Sequence, residues 1–254
     1  MSTISRSHKN GITTLRLNRP EKRNAINWDM THTLAEEIAS SAEDQDCRCL
    51  VLRGSNGHFA AGRDLSDVSS DTPFETVLEN DDAWAAIFDT LSGMNKPSLA
   101  AVEGYAVAGG FTLAMGCDFV IAEQSSKFGA LEMRGGFPAA LNTAVLSRLI
   151  GPRFSLELLL STDLFDAPYL HQMGLINHLA DGSKNLESIV RSKATSLAAL
   201  DPLAVKLTKE THRAVSSLPL REGLTVGKHL NALLLCGGRF DVAKQLHDNR
   251  IKSR

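Results

Sequence analysis

Apolar residues along the first half of the chain follow two rhythms. Gly11–Leu17 alternates, with Ile12, Leu15 and Leu17 apolar, and stops at Asn18-Arg19-Pro20, which predicts a strand. Behind Asn27, a residue suited to capping, Trp28, Leu34, Ala35 and Ile38 fall at helical spacing. Cys49–Leu52, Leu99–Val102 and Phe119–Ala122 are short runs apolar at every position or nearly so, as expected of strands buried on both faces. Arg53-Gly54-Ser55-Asn56-Gly57 ends the first of them as a loop. Helical patterns separate the strands, over residues 73–94 and again from Gly109.

Strands alternating with helices predict an α/β fold with parallel pairing and right-handed crossovers. After Phe137 the texture changes. Only Leu175–His178 reads as a strand, and helical runs cover 143–150, 153–160, 185–199, 202–216 and 222–248. The expected division is an α/β core over 1–180 and a helical region over 181–254, joined through Asp181-Gly182-Ser183. There is no internal repeat and no low-complexity stretch.

Composition narrows the function classes. Of 254 residues, 43% are hydrophobic and 22% charged, which excludes a disordered or collagen-like chain. Lys and Arg number 27 against 29 Asp and Glu, so no basic face is implied and nucleic acid is not an expected partner. MSTISRSHKN lacks the apolar stretch of a secretory signal, and every apolar run is interrupted well before membrane-spanning length. The terminal DNRIKSR matches no address motif. A cytoplasmic protein is expected, with Cys47, Cys49, Cys117 and Cys236 as reduced thiols. Cys47-x-Cys49 is not a zinc or thioredoxin spacing, and His171 and His178 have no partner at metal spacing, so no metal is expected.

Two glycine-containing loops each follow a buried strand: Phe59-Ala60-Ala61-Gly62-Arg63-Asp64-Leu65, and Gly104 through Leu113 with Ala108-Gly109-Gly110 at its centre. In open α/β sheets ligands bind beyond the carboxyl ends of strands. Small residues let backbone approach a ligand, and free N–H groups at a helix start favour negative charge. Neither loop is G-x-G-x-x-G or G-x-x-x-x-G-K-[ST], and Ser98 lies in no G-x-S-x-G.

Taken together, Asn18-Arg-Pro-Glu-Lys-Arg-Asn-Ala-Ile-Asn27, the 59–65 loop, Ala101–Gly110, Cys117-Asp118, Phe128-Gly-Ala-Leu-Glu132, Gly151–Leu160, Asp166-Ala167, Gly174–Asn177 and Pro202–Lys206 resemble the crotonase (enoyl-CoA hydratase/isomerase) superfamily. The resemblance runs in order from about residue 11 to 210. It implies a crotonase-like spiral of ββα units that binds an acyl-CoA thioester. The helical C-terminal region would drive assembly to a homo-trimer or hexamer and cover the active site. No separate cofactor is implied, since coenzyme A is part of the substrate. By position, the oxyanion hole falls on the N–H groups of Arg63 and Gly109 and the acid/base on Glu132. Ala25, Ala60 and Ala61 would lie near the adenine end, and Gly62, Gly110, Thr112, Phe137 and Ala140 along the rest of the substrate.

The sequence departs from the family pattern where the reaction is decided. Hydratases of the family usually carry two glutamates, the first of them three residues past the oxyanion-hole glycine; here that position is Thr112. Threonine has no useful pKa near neutrality and cannot act as a base. Eight residues past Glu132, where dienoyl-CoA isomerases carry aspartate and many hydratases glycine, stands Ala140. Gly237–Asp241 lacks the family's usual acidic pair. The expectation is an enzyme favouring double-bond isomerisation. The alternatives are a hydratase of altered mechanism and a CoA-thioester-binding pseudoenzyme. Asp64 and Asp118 read as caps or structural partners, Thr112 as a pocket liner, Glu103 and Glu123 as solvent- or subunit-facing, and His58 as a surface histidine.

Overall fold

A computed structural model describes residues 2–236 together with 241, 244 and 245. The segment 237–240 and the terminal DNRIKSR lie outside the described residues, apart from Asp241 beside the first. The chain begins with a hairpin, β1 (Ile4–Lys9) and β2 (Ile12–Leu17), paired antiparallel around Asn10-Gly11. Both turn residues have positive φ (52° and 76°), the conformation a two-residue hairpin turn of this hand needs. From β2 onward the pairing is parallel: β3 (Cys49–Gly54), β4 (Ser98–Val102), β6 (Phe119–Glu123) and β9 (His178–Ala180) complete a six-stranded sheet in the order β1-β2-β3-β4-β6-β9. A second sheet holds β5 (Tyr105–Val107), β7 (Lys127–Gly129) and β8 (Phe165–Asp166).

The spiral comes from strands used in pairs. β4 joins the large sheet and, after Glu103-Gly104, the chain turns into β5 of the small one; β6 and β7 repeat the step. The turn requires glycine at 104: φ is +58°, and a Cβ there would lie 2.2 Å from the Gly57 carbonyl oxygen. After β3 the chain meets β5 through one isolated bridge, Ala60 to Ala106, in place of a full strand.

Alternate residues of the central strands enter different cores, which explains their unbroken apolar runs. Leu50, Leu52, Ala100, Val102, Val120 and Ala122 join one core with Met30, Leu34 and Ile38 of α1 (Trp28–Glu43) and Trp84, Ile87 and Leu91 of α2 (Phe74–Gly93). Cys49, Val51, Leu99, Ala101 and Ile121 pack on the opposite side with Leu186, Val190 and Ala194 of α7 (Ser183–Ala198). Asn27 caps α1, its Oδ1 accepting from the Met30 amide at 3.1 Å. Buried α3 (Gly109–Met115) follows β5, and α4 (Ala140–Leu149), α5 (Pro152–Leu160) and α6 (Ala167–Gln172) lie between β7 and β9.

The chain divides into two compact units, 1–202 and 203–254. The division falls later than the 180/181 boundary read from the sequence, because α7 buries its apolar face on the large sheet. The second unit contains α8, which opens at Pro202 and runs to Val215, and α9 (Leu220–Cys236). None of its described helical residues is buried, and Leu220, Leu224, Leu233 and Leu235 are all more than half exposed. No helix among the described residues is long and apolar enough to cross a membrane.

Candidate active site

The loop after β3 is threaded between two neighbours. On one side the Ala60 amide donates to Tyr105 O at 3.0 Å and Val107 N donates back to Ala60 O at 3.1 Å. On the other, Ala61 N donates to Arg23 O at 3.0 Å, Ile26 N donates to Gly62 O and Asp64 N donates to Ile26 O, both at 2.8 Å. These bonds run the Arg23–Ile26 segment alongside Ala61–Asp64. A parallel bridge of this kind uses the groups flanking the central residue, so Gly62 O and Asp64 N both face Ile26. The Arg63 N–H is left over and has no acceptor among the described residues.

Gly109 is the first residue of α3, so its N–H has no intrahelical partner, and it also lacks an acceptor among the described residues. Its neighbour Ala108 is held at φ 49°, ψ −125°, a conformation costing a non-glycine residue about 1–3 kcal/mol. Ala108 N donates to Gly129 O at 2.7 Å, and Ala108 O accepts from Phe111 N and Thr112 N, which fixes that strain in place. The two free amides come together here. A Cβ on Gly109 would lie 3.5 Å from the Arg63 nitrogen, and one on Gly62 (φ +100°) would lie 3.6 Å from the Gly109 nitrogen. Gly110 allows the approach, since a Cβ there would meet Ala60 O at 2.5 Å. Paired free N–H groups on one spot can stabilise an oxyanion.

The Arg63 side chain turns away onto α2. Its Nη1 bonds Asp81 Oδ1 at 2.5 Å, its guanidinium lies 5.9 Å from the Trp84 ring centroid, and Nη2 faces the Asn80 amide oxygen, which also accepts from Trp28 Nε1. Asp64 caps the 3-10 turn Leu65–Asp67 and pairs with Arg19 at 3.1 Å. Its pKa is held below the ordinary value, first by the Ser66 hydroxyl and amide and then by Arg19. Asp118 accepts from the Ser98 amide at 2.8 Å and hydroxyl at 3.0 Å. Both aspartates are structural, as their positions suggested.

Glu132 sits in the 3-10 helix Leu131–Gly135, which Gly136 (φ 75°) closes before Phe137 and α4. Oε1 accepts from Asn142 Nδ2 at 3.1 Å. Oε2 is buried and has no hydrogen-bond partner among the described residues. Burial raises the pKa of this carboxyl above the glutamate norm, against the lowering effect of its own amide and of Asn142. A buried carboxylate with one tethered and one free oxygen suits general acid/base chemistry.

Thr112 is more than a pocket liner. α3 is buried throughout, and the Thr112 hydroxyl donates to Asn142 Oδ1. Phe137 is 56% exposed and Ala140 is exposed, both in the stretch joining Glu132 to α4. His58 is half-buried: its Nδ1 is shielded, and its ring lies 5.5 Å from that of Tyr105. Glu103 does not face solvent freely, being paired with Arg53 at 3.6 Å. Glu123 is half-buried, and burial, then Glu103, raises its pKa. Cys47, Cys49 and Cys117 are buried and Cys236 is exposed, and none of the four is in a disulfide. Among the described residues no three His, Cys, Asp or Glu side chains gather as a metal site. Sequence reasoning missed Asn142. Ala139, Asn142 and Leu146 form the buried face of α4's first turns, and a polar residue on such a face must find a partner.

With this geometry in hand, the comparisons are consistent with one another. The enoyl-CoA hydratase/isomerase family model matches residues 7–233. The chain belongs to that family and is an enzyme of hydratase or isomerase type. It is 32% identical over 235 residues to 2,3-dehydroadipyl-CoA hydratase of Escherichia coli, covering 92% of this chain and 91% of that protein. It is 30% identical over 213 residues to enoyl-CoA hydratase EchA19 of Mycobacterium tuberculosis, covering 83% and 80%. Among solved structures, enoyl-CoA hydratase subunit I of Geobacillus kaustophilus superposes with a TM-score of 0.86 at 30% identity, covering 100% and 96%. An enoyl-CoA hydratase of Mycobacterium smegmatis superposes at 0.89 and 22% identity, covering 98% and 97%, which speaks to the fold.

Proposed function

We propose that this enzyme moves a proton along the acyl chain of an enoyl-CoA thioester, converting 3-enoyl-CoA to 2-enoyl-CoA faster than it hydrates 2-enoyl-CoA. Ionised Glu132 takes a proton from C2. The electrons pass to the thioester oxygen, which accepts hydrogen bonds from the Arg63 and Gly109 amides as negative charge develops. Protonated Glu132 then returns the proton at C4. The positive end of α3 adds to the stabilisation at Gly109. Ala25, Ala60 and Ala61 would line the adenine end, Gly62 and Gly110 the thioester, and Phe137 and Ala140 the acyl path.

The observation that carries this reading is position 112. Its hydroxyl is buried and donates to Asn142, and a hydroxyl has no useful basicity near neutral pH, so it cannot deprotonate an attacking water. Water addition needs an activated nucleophile as well as a proton donor, and losing one general acid/base group costs a factor of ~10²–10⁴. A pseudoenzyme is disfavoured by the strain kept at Ala108 and by two amides left free beside a carboxyl with a raised pKa. Hydration by an altered mechanism is the second reading, favoured by the names of the relatives.

One preparation assayed with both 3-enoyl-CoA and 2-enoyl-CoA separates them. Isomerisation should dominate in wild type, and Thr112→Glu should raise hydration. Hydration clearly faster than isomerisation in wild type sinks the isomerase reading.

A further inference from the structure

We propose that Asn142 is a positioning residue that, itself oriented by Thr112, holds Glu132 Oε1 and so sets the orientation and proton affinity of this carboxyl. The proposal rests on Glu132 being the acid/base. It goes beyond that assignment by naming the two side chains that orient the carboxyl.

The orientation of the Asn142 amide follows from its neighbours. Its Nδ2 faces two acceptors, Glu132 Oε1 at 3.1 Å and Ala108 O at 3.5 Å. Its Oδ1 faces the Thr112 hydroxyl, which donates to it. Turning the amide over would set Oδ1 against a carboxylate and a carbonyl, so the ionised carboxyl and the loop backbone both hold it as it stands. Thr112 Oγ1 has a second acceptor within reach, Ala108 O at 3.4 Å. The result is a directed chain, Thr112 O–H to Asn142 C=O, then Asn142 N–H to Glu132 Oε1. Each donor polarises the next, and the chain ends on one oxygen of the carboxyl.

The same bonds couple the two halves of the site. Ala108 O, which receives the Asn142 contact, belongs to the residue immediately before the Gly109 amide. Asn142 thus spans the acid/base and the oxyanion loop, and a shift of α4 would disturb both. With Oε1 held, the carboxyl keeps one orientation relative to the oxyanion loop.

Among the described residues no ionic partner competes for Glu132. α3 carries no ionisable side chain. The cation of α4, Arg148, stands six residues past Asn142, near the other end of that helix. Arg134 donates its Nε to Thr162 O at 2.6 Å. Glu157 of α5 faces the Tyr169 hydroxyl at 3.3 Å, Arg153 of that helix is exposed, and Arg63 is paired with Asp81. Asn142 is therefore the side chain positioned to favour the ionised form.

The test is a pH profile of kcat and kcat/KM for the full-length enzyme, on whichever enoyl-CoA substrate is turned over. The variants are Asn142→Ala, Thr112→Val, Thr112→Ser and Glu132→Gln. Removing a donor to a carboxylate raises its pKa, so Asn142→Ala should move the acid limb up by about one pH unit. Its kcat should fall roughly 10–100-fold, with KM within about threefold. Thr112→Val, which keeps the shape and the fold, should shift the limb the same way by less, and Thr112→Ser should restore the wild-type profile. The proposal is overturned if Asn142→Ala or Thr112→Val loses rate or thermal stability with the acid limb unmoved, while Glu132→Gln abolishes turnover. Turnover surviving in Glu132→Gln removes the acid/base reading itself, and this proposal with it.

Discussion

Gly110→Ala tests whether the two loops must touch for the enzyme to work. Gly110 has an ordinary helical backbone, so alanine adds no conformational strain there, only a methyl group. That methyl would lie 2.5 Å from Ala60 O, 2.8 Å from Ala60 Cβ and 3.0 Å from Ala60 C. The nearest contact is about 0.9 Å short of the 3.4 Å at which ordinary van der Waals contact begins, and the obstacle is backbone. Either α3 retreats by most of an ångström or the 60–63 segment does. The Gly109 and Arg63 amides ride on those two segments, so they separate by a similar amount. A donor displaced from about 2.9 Å to nearly 4 Å from a developing oxyanion is in effect lost, and losing one such donor costs ~10²–10³ in kcat, or about 2.7–4 kcal/mol. Overpacking costs stability as well, about 1–3 kcal/mol, which at this chain length lowers Tm by roughly 2–12 °C. The assay is kcat at a temperature well below both transitions, with circular dichroism confirming the fold. Gly93→Ala is the control, since a Cβ there meets nothing within 4 Å. Turnover by Gly110→Ala within threefold of wild type would refute the argument that these amides form the oxyanion hole.

Glu132→Gln should abolish most turnover and raise Tm, because it removes a carboxyl that burial penalises in its charged form. The folded-state pKa is raised, so this carboxyl's destabilising effect is absent below the ordinary glutamate value near 4.3 and complete above the raised one. The Tm advantage of the variant should therefore shrink as pH falls through that window, and a pH-independent difference would contradict the sign. Arg63→Ala should keep kcat within about fivefold, since the amide remains while the bonds to Asp81 and the Trp84 contact are lost; a hundredfold loss would assign the side chain to the chemistry. The exposed leucines of α9 motivate a homo-trimer or hexamer, and light scattering that reads a monomer at micromolar concentration would exclude it.

The parts legible in the sequence are those with one dominant physical cause. β3, β4 and β6 are buried on both faces, so their apolar runs announce them, and α1 carries both a cap and a helical stripe. β1 was invisible because only Ile4 of its six residues is buried, leaving no alternation; Asn10-Gly11 was its one readable signal. β5, β7 and β8 are two or three residues long, too short for any period, and their existence depends on the chain turning between sheets. The strand expected at Leu175–His178 begins at His178, because Leu175 and Ile176 are buried in the connection before it. The site follows the same division. Glycine spacing located the two loops, but the free amide at Arg63 exists only because its neighbours pair with Ile26.

Position 112 shows what residue-by-residue comparison leaves out. Read against the family pattern, threonine there is a missing carboxylate, and the inference stops at a lost function. In the structure the side chain has a donor role that a carboxylate cannot perform, since an ionised acid only accepts. A glutamate at 112 would face Asn142 Oδ1 as acceptor to acceptor, and the amide would turn its N–H toward it and away from Glu132. The hydroxyl at 112 and the asparagine at 142 therefore belong together. A group that receives a hydrogen bond from Asn142 can be tuned by one neighbour, whereas two facing carboxylates tune each other. That difference is why Thr112→Glu alone should raise hydration only partly, read as the rate with 2-enoyl-CoA beside that of the wild type; full two-carboxylate hydration from this one change would refute the argument.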